Sequence, residues 1–210
     1  MAKSILEKAN LFLKLAKEEL PADSKNVNVI LKNLSKLTTF SARIEYAERN
    51  LKHFSSGSSR VIYLMPNNKE VLKLAKNESG LEQNKSESKV KAKHINKTIK
   101  SDKNGVWKIS PLAKKITEKQ FEKLTDVNFK DFGKCIEYAL KNISKDKAKK
   151  PKCFDDICEN DVFKDLVSAG KKYKLMPGDL MRISSYGEID KKPVVLDAGF
   201  NREVYEDFYE

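Results

Sequence analysis

A strand–turn–strand pattern at residues 60–75 constrains the fold of this chain more than any other feature of the sequence. Residues 60–65 read RVIYLM, residues 66–69 read PNNK, and residues 70–75 read EVLKLA. Two short apolar runs separated by Pro and Asn predict a β-hairpin, because Pro and Asn favour the backbone of a tight turn. We therefore expect antiparallel strands in the first half of the chain.

The residues before this hairpin have helical periodicity. Apolar side chains recur every three or four positions at residues 5–15, 27–37 and 38–53, and Pro21 ends the first of these patterns. They predict a helical extension that covers residues 1–53. The first segment is punctuated by Lys and Glu, so it fits neither a signal peptide nor a membrane span, and we expect a soluble protein with no membrane contact.

The residues after the hairpin mix helical and strand signals. Helices are predicted at residues 80–93, 129–143 and 162–169, and a further helix is predicted after a capping-box pattern at Thr117. Short strands are predicted at residues 106–109, closed by Ser110 and Pro111, and at residues 193–196. A turn is predicted at residues 185–187, and polar connections are predicted at residues 97–104 and 144–152. The chain therefore has an α+β pattern. We divide it into a β-rich region at residues 54–110 and a helical region at residues 111–210.

The cysteines and histidines do not form a metal-site pattern. Cys135, Cys153 and Cys158 cannot all pair with one another, and with His53 and His94 they lack the close spacing of structural zinc ligands. We expect reduced thiols and an intracellular protein.

The net charge of +12 raises the question of nucleic-acid binding. Only five of the 42 basic residues are arginine, and bidentate recognition of bases and phosphates depends mainly on arginine. We interpret most lysines as a solvated surface. Weak, salt-sensitive binding of nucleic acid through residues 85–103 stays open as an alternative.

Two features around the hairpin point to phosphate binding. The segment FSSGSSRVI at residues 54–62 places Gly57 and Ser58 where backbone N–H groups can approach phosphate oxygens, although small residues are also common in simple turns. Lys73 lies in the next strand between two leucines, where an unpaired charge is costly, so it either pairs with an anion or alternates outward to solvent.

Two further features follow in chain order. The helix after the hairpin offers Glu82 and Glu87 as partners for Lys73, and we favour Glu87 because it lies further inside the helix. Asp197 ends the apolar strand PVVL and is a candidate magnesium ligand, while Asp179 and Ser184 lie upstream in the segment GDLMRIS. Each carboxylate alone also fits a turn or a cap.

This order of residues resembles the protein-kinase-like superfamily, and residues 54–200 are most similar to uncharacterised kinase-like proteins of bacteriophages. The resemblance implies a reduced two-lobed fold that binds ATP and Mg²⁺. It further implies that Gly57 and Ser58 cover the phosphates and that Lys73 contacts them, oriented by Glu87. Asp179 would be the catalytic base, Asp197 and Ser184 the metal ligands, and residues 107–112 the hinge that touches adenine.

The sequence also departs from the kinase pattern. Ser55 and Arg60 stand where the family has glycines, Ser184 stands where it has the metal-binding Asn, and Pro177-Gly178 replaces His-Arg before Asp179. Thirteen residues follow Asp197, so we expect no activation segment and no peptide-gripping helices.

Three functions follow from this pattern. We favour a degenerate kinase-like protein that acts through binding, with an unidentified protein partner, a location in the host cytoplasm or the virion, and weak or no phosphotransfer. A minimal ATP- and magnesium-dependent kinase that uses Lys73, Asp179 and Asp197 is the alternative. Nucleic-acid binding ranks third.

Overall fold

The structure, a computed structural model, describes residues 26–144 and 148–209. The helix predicted at residues 5–15 and part of the connection predicted at residues 144–152 lie outside the described residues.

Two helices precede the first strand. Helix α1 spans Val27–Lys36, and helix α2 spans Phe40–Asn50. The Asn26 side chain accepts a hydrogen bond from the N–H of Asn28, and Thr39 accepts one from the N–H of Ala42, so both helix starts are capped. The second helix was predicted to reach residue 53, which is wrong, because Leu51 is already extended and the next residues pair in a strand.

Five antiparallel strands form the first sheet, in the order β1-β2-β3-β5-β4. The strands are β1 (Lys52–Ser56), β2 (Arg60–Leu64), β3 (Glu70–Ala75), β4 (Lys100–Ser101) and β5 (Trp107–Pro111). The predicted hairpin is confirmed as β2 and β3, in a register that places Ile62 opposite Lys73. The predicted loop at residues 97–104 contains the short strand β4, and β5 includes the two residues that were predicted to close it.

Helix α3 (Glu78–Lys89) and helices α1 and α2 lie on opposite faces of this sheet. Leu72 and Leu74 pack in one apolar core with Ile30 of α1, whereas Lys73 between them contacts α3. Successive strand side chains point to opposite faces, so this alternation follows directly from the sequence. A Cβ atom added at Gly80 would lie 2.1 Å from the Ser59 carbonyl oxygen, so the first turn of α3 presses against the β1–β2 turn.

The second half of the chain builds a separate core. Its elements are β6 (Lys114–Lys115), α4 (Glu118–Thr125), α5 (Phe129–Ser144), α6 (Phe154–Ile157), α7 (Asp161–Tyr173), α8 (Pro177–Leu180), a 3-10 turn (Ile183–Ser185), β7 (Tyr186–Ile189), β8 (Lys192–Val195) and α9 (Arg202–Phe208). The aromatic rings of Phe121, Phe129, Phe132 and Tyr186 pack edge to face at its centre. Thr117 forms the predicted capping box of α4 with Gln120.

The turn predicted at residues 185–187 is wrong. Gly187 lies inside β7, where an added Cβ atom would come within 2.9 Å of the Ala113 and Leu196 side chains. This glycine therefore permits close packing within the small sheet β6-β7-β8. The turn itself lies at Asp190 and Lys191, both of which have positive φ angles.

The chain is thus an α+β protein with two apolar cores. The loop between α3 and β4 joins them, because Ile95 bridges to Val195 of β8 in parallel. Within the described residues, no helix is long and apolar enough to cross a membrane.

Candidate functional site

Two connected cavities lie between the two halves of the protein. The first has a volume of about 320 Å³ and is lined by the β1–β2 turn, α8 and the segment after β8. The second has a volume of about 200 Å³ and is lined by β1, β3, the segment after β5 and the 3-10 turn. Ile62 and Asp197 line both cavities, so the two cavities adjoin each other at these residues.

Lys73 and Glu87 form an ion pair beneath these cavities. Lys73 Nζ lies 2.7 Å from Glu87 Oε1, and the two residues are 4% and 1% exposed. Lys73 also donates a hydrogen bond to the Leu196 carbonyl, which ties β3 to the segment before Asp197. The prediction that Lys73 and Glu87 lie within salt-bridge distance is confirmed. The preference for Glu87 over Glu82 as the partner is also confirmed, because Glu82 pairs with Lys85 at the surface.

Glu87 is the hub of a larger buried cluster. Its carboxylate also lies 2.5 Å from Arg60 Nη1 and 2.8 Å from Lys108 Nζ, so three cations surround one anion. Burial would raise the pKa of Glu87, but the charges of Lys108, Lys73 and Arg60 outweigh it and hold that pKa well below its usual value. Glu87 is therefore ionised at any physiological pH.

Lys108 is the most deeply buried of the three cations. It is fully inaccessible and lies directly opposite Lys73 in the β3–β5 ladder. Burial and the positive charge of Lys73 lower the pKa of Lys108 to about 8, although Glu87 counteracts the decrease. Lys108 is thus the member of the cluster that can most easily lose its charge.

Arg60 connects this cluster to the cleft. One guanidinium nitrogen contacts Glu87 and Asn84 Oδ1, and the other contacts the Asp197 carboxylate. Burial would lower the pKa of Arg60, but Asp197 and Glu87 raise it overall, so the charge is permanent. Asp197 faces the cleft, as predicted, with 45% of its side chain exposed. Burial would raise the pKa of Asp197, but Arg60 and Lys73 lower it below its usual value.

Asp179 and Ser184 lie on different cavities. Asp179 is on α8 and lines the first cavity, 3.9 Å from an Arg182 guanidinium nitrogen. Burial, followed by the charge of Asp197, raises the pKa of Asp179 to about 6. Ser184 is exposed on the 3-10 turn and lines the second cavity together with Lys73. The roles predicted for Asp179 and Ser184 stay predictions.

Gly57 and Ser58 form the exposed β1–β2 turn at the rim of the first cavity. The N–H of Gly57 donates to the Arg60 carbonyl at 2.8 Å and so closes the turn. An added Cβ atom at Gly57 would meet only that carbonyl, at 3.7 Å, so neither space nor a positive φ requires glycine here. The turn lies at the rim of the cavity, and its Gly57 N–H is already used within the turn.

Asp197 already has a cationic partner. Arg60 supplies a permanent positive charge at one oxygen of this carboxylate, Oδ1, and so reduces its attraction for a divalent cation. In the described part of the chain, no three His, Cys, Asp or Glu side chains come together as a metal site. The magnesium roles of Asp197 and Ser184 stay predictions.

The predicted hinge at residues 107–112 is only partly at the site. Pro111 and Leu112 line the second cavity. Trp107 instead packs in the core with α1 and donates a hydrogen bond to Ser35 Oγ at 2.9 Å. The hinge contact with a ligand is therefore limited to the end of β5 and the residues that follow it.

Sequence reasoning missed three polar residues of this region. Arg60 was noted only as a replacement for glycine, and Lys108 and Asn96 were not considered. Lys108 did carry a signal, because it lies between Trp107 and Ile109 in a strand just as Lys73 lies between two leucines.

Comparisons with known proteins gave no matching family model, no matching curated protein and no matching solved structure.

Proposed function

We propose that this chain is a kinase-like nucleotide-binding protein with weak or no phosphotransfer activity. The observation that carries the proposal is the bridge that Arg60 makes between Glu87 and Asp197. In this scheme Arg60 supplies the positive charge that a divalent metal ion supplies in an active kinase.

The charge balance of the cluster supports binding of an anion. Arg60, Lys73 and Lys108 contribute three positive charges against the two negative charges of Glu87 and Asp197. The surplus charge lies next to a cavity that is large enough for phosphate groups. Phosphate groups bind well to such cations because the hydrogen bonds are charge-assisted.

The same geometry argues against efficient phosphoryl transfer. Transfer depends on aligning donor and acceptor, which can supply ~7–11 kcal/mol of the barrier reduction, and on neutralising charge with metal ions. Arg60 already pairs with one oxygen of Asp197, and the Gly57 N–H is used inside the β1–β2 turn. Asp179, whose pKa is raised to about 6, is the one feature that favours the alternative of a minimal kinase, since a catalytic base works best near the operating pH.

The test is calorimetric titration of the protein with ATP in EDTA and in Mg²⁺. We expect the dissociation constants in the two buffers to agree within about threefold, because Arg60 takes the place of the metal ion. We expect Lys73→Met to weaken binding at least about tenfold, the loss of one charged contact. The matched control is Lys103→Met, which removes an equal charge from an exposed loop and should change affinity less than about twofold.

Two outcomes count against the proposal. Binding that appears only with Mg²⁺ refutes the role of Arg60. Absence of ATP binding in both buffers refutes the proposed function itself.

A further inference from the structure

Two of the three cysteines lie in contact in the helical half of the protein. Cys135 is on α5, and Cys153 immediately precedes α6. Their Sγ atoms are 3.8 Å apart, although the two residues are separated by 18 positions in the chain. Neither residue lines the two cavities of the cleft. The contact is therefore independent of the proposed function.

The packing around the two thiols holds them together. The Phe154 ring packs edge to face against Tyr138, with centroids 5.1 Å apart, and against Phe163, with centroids 5.9 Å apart. Tyr138 lies one turn beyond Cys135 on α5, and Phe154 directly follows Cys153. The aromatic contact and the thiol contact therefore join the same two segments. Because close-packed interiors leave side chains little freedom, the folded chain keeps the two sulfur atoms facing each other.

The third cysteine has a different environment. The Cys158 thiol donates to the Asp155 carbonyl at 3.2 Å, so it is hydrogen-bonded within its own turn at the end of α6. Cys153 instead contacts the thiol of Cys135 on another helix. The geometry therefore favours Cys135 over Cys158 as the partner of Cys153.

We propose that Cys135 and Cys153 are a modification site, at which a peroxide converts the two thiols into a reversible disulfide within the chain. A disulfide needs ~2.0 Å between its sulfur atoms, so the two sulfurs would have to approach by a further ~1.8 Å. Rotation about the Cα–Cβ bonds moves a sulfur atom over such a distance. The helices themselves do not have to move apart or slide.

The difference in exposure gives the two thiols different roles in the reaction. Cys153 is partly exposed and meets the peroxide first, whereas Cys135 is fully buried, and burial raises the pKa of its thiol to about 12. The sulfur of Cys153, as the thiolate, attacks one peroxide oxygen. The O–O bond breaks, the other oxygen leaves as water after it takes up a proton, and Cys153 becomes a sulfenic acid.

The second step closes the disulfide. The sulfur of Cys135 attacks the sulfenic sulfur of Cys153, the S–O bond breaks, and the hydroxyl group leaves as water with the proton of Cys135. In total the two thiols lose two electrons and two protons, and the peroxide becomes two water molecules. A dithiol reductant reverses the reaction by thiol–disulfide exchange.

The test treats the full chain with hydrogen peroxide in modest molar excess and then alkylates the remaining thiols in denaturant without reductant. Mass spectrometry should find one alkylated cysteine, Cys158, where the untreated chain has three, and a peptide pair that joins Cys135 to Cys153. Dithiothreitol should restore all three thiols. The cross-link restricts the unfolded chain, so we expect the melting temperature to rise by about 5–10 °C.

Two variants separate this pair from general effects of oxidation. Cys153→Ser removes the thiol that meets the peroxide first, and we expect it to abolish both the cross-link and the rise in melting temperature. Cys158→Ser is the matched control, because it makes the same change at the other partly buried cysteine. It should keep both the cross-link and the rise.

Several results would overturn the inference. Three alkylated cysteines after treatment, oxidation of Cys153 that stops at the sulfinic acid, a link between Cys153 and Cys158, or a link between two chains each exclude the proposed disulfide. A cross-linked protein that melts below the reduced protein also overturns it, because the bond would then form only at the expense of the fold. Should Cys153→Ser fail to fold, the peptide map of the natural protein still decides.

Discussion

Replacing Glu87 by Gln is the most direct test of the buried cluster. The substitution keeps the shape of the side chain and removes the only negative charge that Arg60, Lys73 and Lys108 share. Because Glu87 is 1% exposed, water cannot reach this position to solvate the cations that the substitution leaves unpaired. With Asp197 included, the net charge of the cluster rises from +1 to +2.

The expected loss follows from the cost of unpairing buried ions. Removing one partner of a buried ion pair typically lowers the free energy of unfolding by ~3–5 kcal/mol. The glutamine side chain of the variant would retain one neutral acceptor oxygen, so we expect the lower part of this range. Natural domains have a stability of only ~5–15 kcal/mol, so the effect is large enough to measure by urea unfolding.

The loss should also depend on pH in a defined direction. The pKa of Lys108 is lowered to about 8 in the folded protein, so its contribution to stability is complete above its unfolded pKa near 10.5 and is lost as the pH falls through 8. Glu87 raises this pKa, so the variant should have a still lower one. As the pH falls, the natural protein stops losing stability near pH 8, whereas the variant continues to lose stability below pH 8. The difference in free energy of unfolding between the two proteins should therefore be largest near pH 6 and smaller near pH 9.

The assay is urea unfolding followed by circular dichroism at pH 6 and pH 9. The matched control is Glu82→Gln on the same helix, where a half-exposed glutamate pairs only with Lys85 and the loss should be below ~1 kcal/mol. Equal losses for the two variants, or a loss that does not change with pH, would refute the assignment of Glu87 as the hub.

Two further predictions concern the carboxylates of the cleft. Burial and Asp197 raise the pKa of Asp179 to about 6, so the contribution of Asp179 to stability should fall as the pH rises from about 4 to about 6. Asp179→Asn should therefore be up to ~3 kcal/mol more stable than the natural protein at pH 7.5 and should gain nothing near pH 4. A variant that is less stable at pH 7.5 contradicts this reasoning. Transfer of radiolabelled phosphate from ATP to protein should be weak or undetectable, whereas robust transfer that both Asp179→Ala and Asp197→Ala abolish would establish an active kinase.

The parts of the structure that depend on local sequence were predictable. The β2–β3 hairpin, the Thr117 capping box and the spacing of Lys73 and Glu87 each arise from residues within one or two neighbouring elements. Turn residues and hydrophobic periodicity carry enough information at this range. The position of Asp197 at the cleft also follows, because it comes shortly after the buried strand β8, which ends at Val195.

The parts that depend on tertiary contacts were not predictable in the same way. Gly187 resembles a turn residue in sequence, but it is small because Ala113 and Leu196 pack against it from other segments. Arg60 follows a small-residue turn and has no local sign that it reaches Asp197, which is 137 residues away in the chain. Buried ion pairs form between segments whose approach only the whole fold determines.

The arrangement of charges explains why one cluster can serve both the fold and a ligand. Glu87 lies on the inner side and forms ion pairs with all three cations. Asp197 lies on the outer side, and it balances Arg60 only in part because its own side chain reaches solvent. Arg60 and Lys73 border the cleft, whereas the third cation, Lys108, is fully buried. Under the proposed function, a phosphate group bound there would complete the charge balance and would stabilise the folded state through mass action, so binding and folding would be coupled at Arg60 and Lys73.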